Sequence, residues 1–84
     1  MTPEDIAQHE AAWAEVHEIL FTQNHNLTAP QAKAKAERVI RPLGASNIAY
    51  LMGQAIDLLP KDRRSAEAKM DLARDQIKQF KQND

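Results

Sequence analysis

The four prolines, at positions 3, 30, 42 and 60, constrain this chain more than any other feature. A proline is tolerated in the first turn of a helix but not in its interior, so these positions divide the chain into stretches of helical length. Within each stretch the apolar residues recur at three- and four-residue intervals rather than in alternation. The expectation is an all-α fold: a compact antiparallel bundle of three to four helices over about 3–22, 29–41, 47–59 and 62–82. The 84 residues then form one helical domain.

Each stretch has its own start signals. Thr2 caps the first, with Pro3 at the first helical position and Glu4 and Asp5 against the positive dipole end. At 100° per residue, Ile6, Trp13, His17 and Leu20 share a sector, flanked by Val16 and Phe21. Gln23 to Asn26 are turn-prone. Thr28 and Gln31 have capping-box spacing, with Pro30 in the first turn. Ala29, Ala32, Ala36, Val39, Ile40 and Leu43 form the second apolar stripe, with Lys33, Lys35, Arg38 and Arg41 around it. Pro42 and Gly44 end this helix, since proline pushes Arg41 away from helical geometry. Ser46 caps the third helix, whose stripe of Ile48, Leu51, Met52, Ala55 and Leu59, widened by Ile56 and Leu58, is broad enough to be buried from two sides. Tyr50, Gly53, Gln54 and Asp57 lie opposite. In the last helix Ala66, Met70, Ala73, Ile77 and Phe80 keep a 4-3-4-3 spacing, with Asp71–Arg74 and Asp75–Lys78 as surface pairs. Leu72 falls outside this stripe and is expected to be exposed.

A chain this short buries only about 60% of its unfolded surface, with a stability of roughly 4 to 12 kcal/mol. It rarely has atoms to spare for a catalytic cleft. The absence of cysteine removes disulfides, thiolate nucleophiles and zinc–thiolate sites. The acidic start Thr2-Pro3-Glu4-Asp5 is unlike a basic, then apolar, secretory signal. No apolar run approaches the ~20 residues of a membrane span. A cytoplasmic location without membrane contact is the expectation.

Eleven Lys and Arg against twelve Asp and Glu argue against general nucleic-acid binding. The charges are segregated, however. Residues 1–27 hold five acids and no Lys or Arg, which leaves the remainder of the chain at +4.

Chemistry-bearing patterns fail on inspection. His9-Glu10 begins like a zincin helix, but Trp13 stands where the second histidine belongs. No Glu-x-x-His pair exists for a di-iron bundle, since Ala14 and Thr22 precede His17 and His25 by three. Ser46 and Ser65 both sit at helix starts, where a hydroxyl caps the backbone. With two glycines there is no phosphate-cradling loop. No metal, cofactor or catalytic residue is therefore expected. His17 reads as a satisfied core histidine or as part of a contact face anchored by Trp13.

The function that fits is a non-enzymatic protein-interaction module, an adaptor or inhibitor that covers a partner's surface, in one form as a homodimer. Assigning it to the bacterial or phage type rests on how common short compact chains are there, not on residues. The candidate partner-binding residues are Trp13, His17, Lys33, Arg38, Arg41, Tyr50, Gln54 and Leu72. The alternative is a helix-turn-helix-like DNA-binding regulator over residues 33–54, because Leu43-Gly44-Ala45-Ser46 resembles that motif's turn. Against it stand Pro42, which would break the first helix early, Tyr50 at a position the motif buries, and a reading helix without Lys or Arg.

Overall fold

The computed structural model describes residues 1–22 and 27–82, and the expected turn at 23–26 lies outside them. Four helices follow one another: α1 (Pro3–Phe21), α2 (Ala29–Ile40), α3 (Asn47–Leu58) and α4 (Arg63–Gln82). These match the expected spans to within a residue at each end, and no described residue is in a strand.

The helix starts are built as the caps dictate. Thr2 Oγ1 accepts from the Asp5 amide at 3.1 Å while the Asp5 carboxylate accepts from the Thr2 amide. Thr28 and Gln31 close the same reciprocal box on α2. Ser46 Oγ accepts from the Ala49 amide at 3.1 Å and starts α3. The fourth start departs from expectation. Asp62, not Ser65, caps α4: its carboxylate accepts from the Arg64 and Ser65 amides and, at 2.7 Å, from the Ser65 hydroxyl.

The end of α2 also departs from the proline argument. Arg41 keeps helical angles (φ −55°, ψ −45°), and residues 41–43 tighten into a 3-10 turn. Pro42 sits on the exposed end of the helix, where a missing N–H costs little. The chain is turned by Gly44, whose φ of +71° is the left-handed region that favours glycine.

Neighbouring helices run antiparallel. Along α1 and α4, Glu10 meets Lys81, Trp13 meets Met70, and Phe21 lies under Arg63. Along α2 and α3, Lys33 meets Asp57, and Ile40 lies beside Gly53. One buried cluster draws on all four helices: Val16, Ala36, Met52, Ala55, Ala66 and Ala73 have no exposed surface. The alanines let backbones approach, and α3, central as its wide stripe implied, packs most heavily on α4.

Two stripes are corrected. In α1 the buried residues are Ile6, His9, Ala12, Val16, Ile19 and Leu20, so the core-facing side is centred roughly 60° away from the Trp13–His17 sector. In α4 the stripe ends at Ile77; Phe80 is exposed at the last turn, and Leu72 is 49% exposed as its angle implied. Asp71–Arg74 forms at 3.5 Å, joined by Arg63–Glu67 at 3.4 Å.

The Ser65 hydroxyl, and after it the Ser65 amide, hold the Asp62 carboxyl below its ordinary value of 3.8. A lowered carboxyl pKa stabilises the fold above that ordinary value, and the effect is lost as pH falls through the lowered one. Asp62→Ala is expected to lower the melting temperature at neutral pH, while Asp62→Ser keeps most of the cap. Thermal melts by circular dichroism should show the deficit of Asp62→Ala closing as pH drops below the carboxylate range. A deficit independent of pH would remove the charged cap.

Candidate functional site

The expected contact residues separate onto opposite sides of the bundle. Trp13 and His17 lie on the α1/α4 seam, Lys33, Tyr50 and Gln54 on the α2/α3 side, Arg38 and Arg41 on the outer edge of α2, and Leu72 on the outside of α4 one turn from Gln76. Gln76 accepts from Asn47 at 2.9 Å, which places Leu72 toward the α3/α4 seam.

The α1/α4 seam is an internal clamp. Trp13, His17 and Phe21, four residues apart, form a ladder of rings with centroids 4.9 and 5.0 Å apart. The Arg74 guanidinium lies over Trp13 at 5.6 Å and that of Arg63 over Phe21 at 5.3 Å. The Trp13 indole N–H donates to the Met70 carbonyl at 2.7 Å. Lys81 reaches Glu10 at 3.2 Å, with both side chains about half exposed. His17 is only half-buried, sandwiched between two rings.

The core histidine is instead His9, 4% exposed. Its Nδ1 faces the Asp5 carbonyl at 2.7 Å and its Nε2 the Ser46 hydroxyl at 2.9 Å. A carbonyl only accepts, so in the neutral ring Nδ1 carries the hydrogen and Nε2 accepts from Ser46. The Ser46 oxygen in turn accepts from Ala49. Sequence reasoning missed this pairing because 37 residues separate the partners. A Ser–His contact has the composition of a nucleophile and base, but this hydroxyl is committed to a helix cap and the ring is sealed from solvent. What the geometry does is tie the N-terminal ends of α1 and α3 together. Among the described residues, no three His, Asp or Glu side chains converge as a metal site would need.

The α2/α3 side is open. Tyr50 is 63% exposed, and its hydroxyl accepts from Gln54 at 3.1 Å. The pair borders a shallow depression with Lys33, Glu37, Ile40, Gly53 and Asp57. A Cβ on Gly53 would meet only Ile40 Cδ1, at 3.7 Å, an ordinary contact. Packing therefore does not require glycine there. Lys33 also stands at the mouth of a second, apolar cavity of about 470 Å³ at the end of the bundle where α2 begins.

Two substitutions check these assignments. Trp13→Phe removes the bond to Met70 but keeps an aromatic ring, and denaturant unfolding should show a loss of about 1 kcal/mol. No change would mean that the indole N–H contributes nothing to the seam. Gly53→Ala should stabilise by about 0.5 to 1 kcal/mol, since it removes a helix-weakening residue without a clash; destabilisation would show that the position needs the space. The chain matches no family model, no curated protein and no solved structure.

Proposed function

We propose that this chain is a non-enzymatic protein-binding module, an adaptor or inhibitor that covers a surface of its partner, and that its contact face is the α2/α3 side. The observation that carries the reading is Tyr50, a large aromatic side chain left 63% exposed on the α2/α3 side. Lys35, Arg38 and Arg41 take part in no ion pair among the described residues. These cations lie on the outer edge of α2, away from the ring, whose own depression is bordered by Lys33, Glu37 and Asp57. The aromatic residue then serves as anchor and the outer cations steer the approach of an acidic protein surface.

Gly53 supports the same face. It weakens α3 and fills no steric need, yet it keeps the depression beside Tyr50 open, and positions that sacrifice stability are often ones that serve binding. Trp13 and His17 contribute less under this reading, since their rings are already engaged within the chain. The DNA-binding alternative draws little support from the geometry. Helix α3 is buried on most of its circumference and offers Asn47, Tyr50, Gln54 and Asp57 without a single cation, so no helix combines exposure with phosphate-neutralising charge in a reading position.

Affinity capture from extracts of the native host, run in parallel with Tyr50→Ala and with Arg38→Glu/Arg41→Glu, tests the proposal. A partner held by the unaltered chain should bind Tyr50→Ala about 30-fold more weakly if the ring is a central anchor. The charge reversals should mainly slow association, most visibly at low salt. Capture that persists undiminished in both variants would move the contact face elsewhere. Sedimentation velocity on the purified chain separates the homodimer form: self-association abolished by Tyr50→Ala would make a second copy the partner.

A further inference from the structure

We propose that the apolar cavity at the α2 end of the bundle is a binding site for a small amphiphile, an unbranched apolar chain ending in one anionic headgroup. The cavity holds about 470 Å³, within the range of sites that enclose small organic molecules. Its inner wall is the core itself, through the buried Leu20, Ala32 and Ile56, and its sides are Leu27, Leu59 and Pro60. Short side chains leave it open: α2 begins Ala-Pro and turns Ala32 inward, and Lys33, the long residue of this stretch that lines the space, extends to Asp57. Water in such a space finds few partners, whereas an apolar chain loses only its hydration.

The sign of the headgroup follows from the mouth. Among the described residues, Lys33 is the one ionisable residue lining the cavity. Its ammonium is 3.5 Å from Asp57 on α3, with both side chains more than half exposed. An ion pair this exposed contributes little, so a ligand anion can take the place of the Asp57 carboxylate. The first turn of α2 carries no acidic residue, which leaves the positive end of that helix unopposed beside the same mouth. Thr28 and Gln31 already occupy its capping positions, so the helix supplies a favourable field rather than free donors.

Methyl-resolved NMR on the full chain, titrated with decanoate below its micelle concentration, tests the site, with decanol and decylammonium as controls. Saturable shifts should centre on Leu20, Leu27, Ile56 and Leu59, with decanoate bound more tightly than decylammonium. Affinity should rise about fourfold for each methylene added from hexanoate upward until the cavity is full. Lys33→Met should erase the headgroup preference while leaving decanol binding in place. Asp57→Asn, which frees Lys33, should tighten decanoate about two- to fivefold. Ala29→Phe fills the space from an exposed position and should abolish the shifts, with an unchanged circular dichroism spectrum showing that the fold persists.

The same chemistry occurs free or in a bilayer, and phosphatidylglycerol vesicles separate the sources. Vesicle co-sedimentation lost in Ala29→Phe assigns the chain to membrane lipid; decanoate binding without vesicle binding assigns it to free acids. Shifts scattered over the surface, no saturation at millimolar decanoate, or Lys33→Met and Asp57→Asn that leave headgroup preference unmoved would overturn the proposal. Lys33 and Asp57 also border the Tyr50 depression, but decanol binding and the Ala29→Phe readout do not involve Tyr50, Arg38 or Arg41, so these arms are separate from the protein-binding test.

Discussion

The bundle depends on α3 being enclosed by its neighbours. Six of its twelve residues are buried, and the alanines at 36, 55, 66 and 73 bring the surrounding backbones close enough for Met52 and Met70 to fill what remains. In a chain with no disulfide to restrict its unfolded state, this dispersion and burial must offset nearly all of the conformational entropy lost on folding. Small residues at these contacts are what make four helices sufficient. A larger side chain at any of the four positions would push two backbones apart along a whole seam.

Polar groups finish what apolar packing begins. Among the described residues His9 is the one buried residue that is not apolar, and it is satisfied at both ring nitrogens by a carbonyl within its own helix and by the cap of another. The α1/α4 seam works differently. There the rings of Trp13, His17 and Phe21 lie half-buried under two guanidinium groups, and Glu10 is held by Lys81. One side of the molecule is thereby closed by its own cations, while on α2 Lys33 pairs with Asp57 and Lys35, Arg38 and Arg41 form no ion pair among the described residues. The charge asymmetry visible in the composition is thus a property of the surface that remains after internal pairing.

Much of this was legible in the residues, and the failures have specific causes. The spans of all four helices follow from caps, prolines and periodicity, and the α4 stripe is right through Ile77 because alanine and larger residues alternate cleanly. The face of α1 was misjudged because Trp13 and His17 outweigh Ala12 and Ile19 in any estimate that follows the large rings. Burial of His9 requires Ser46, and a contact that distant leaves no trace in local spacing. Ser65 reads in the sequence as a hydroxyl at a helix start, yet the Asp62 carboxylate accepts from two amides and the Ser65 hydroxyl at once. Of the candidate contact residues, Tyr50 and Leu72 were placed outward correctly. Their division from Trp13 and His17 became visible only once the helices had neighbours.

The Trp13–Met70 bond has an optical consequence. This protein has a single tryptophan, and its indole touches α4 by hydrogen bond and by the Arg74 cation, so the emission of one fluorophore reports whether that helix is seated. Peeling of α4 would release the indole to water and shift its spectrum, while rearrangements confined to the α2/α3 side would leave it dark to them. The molecule therefore carries a native probe that distinguishes loosening of its closed side from occupation of its open one.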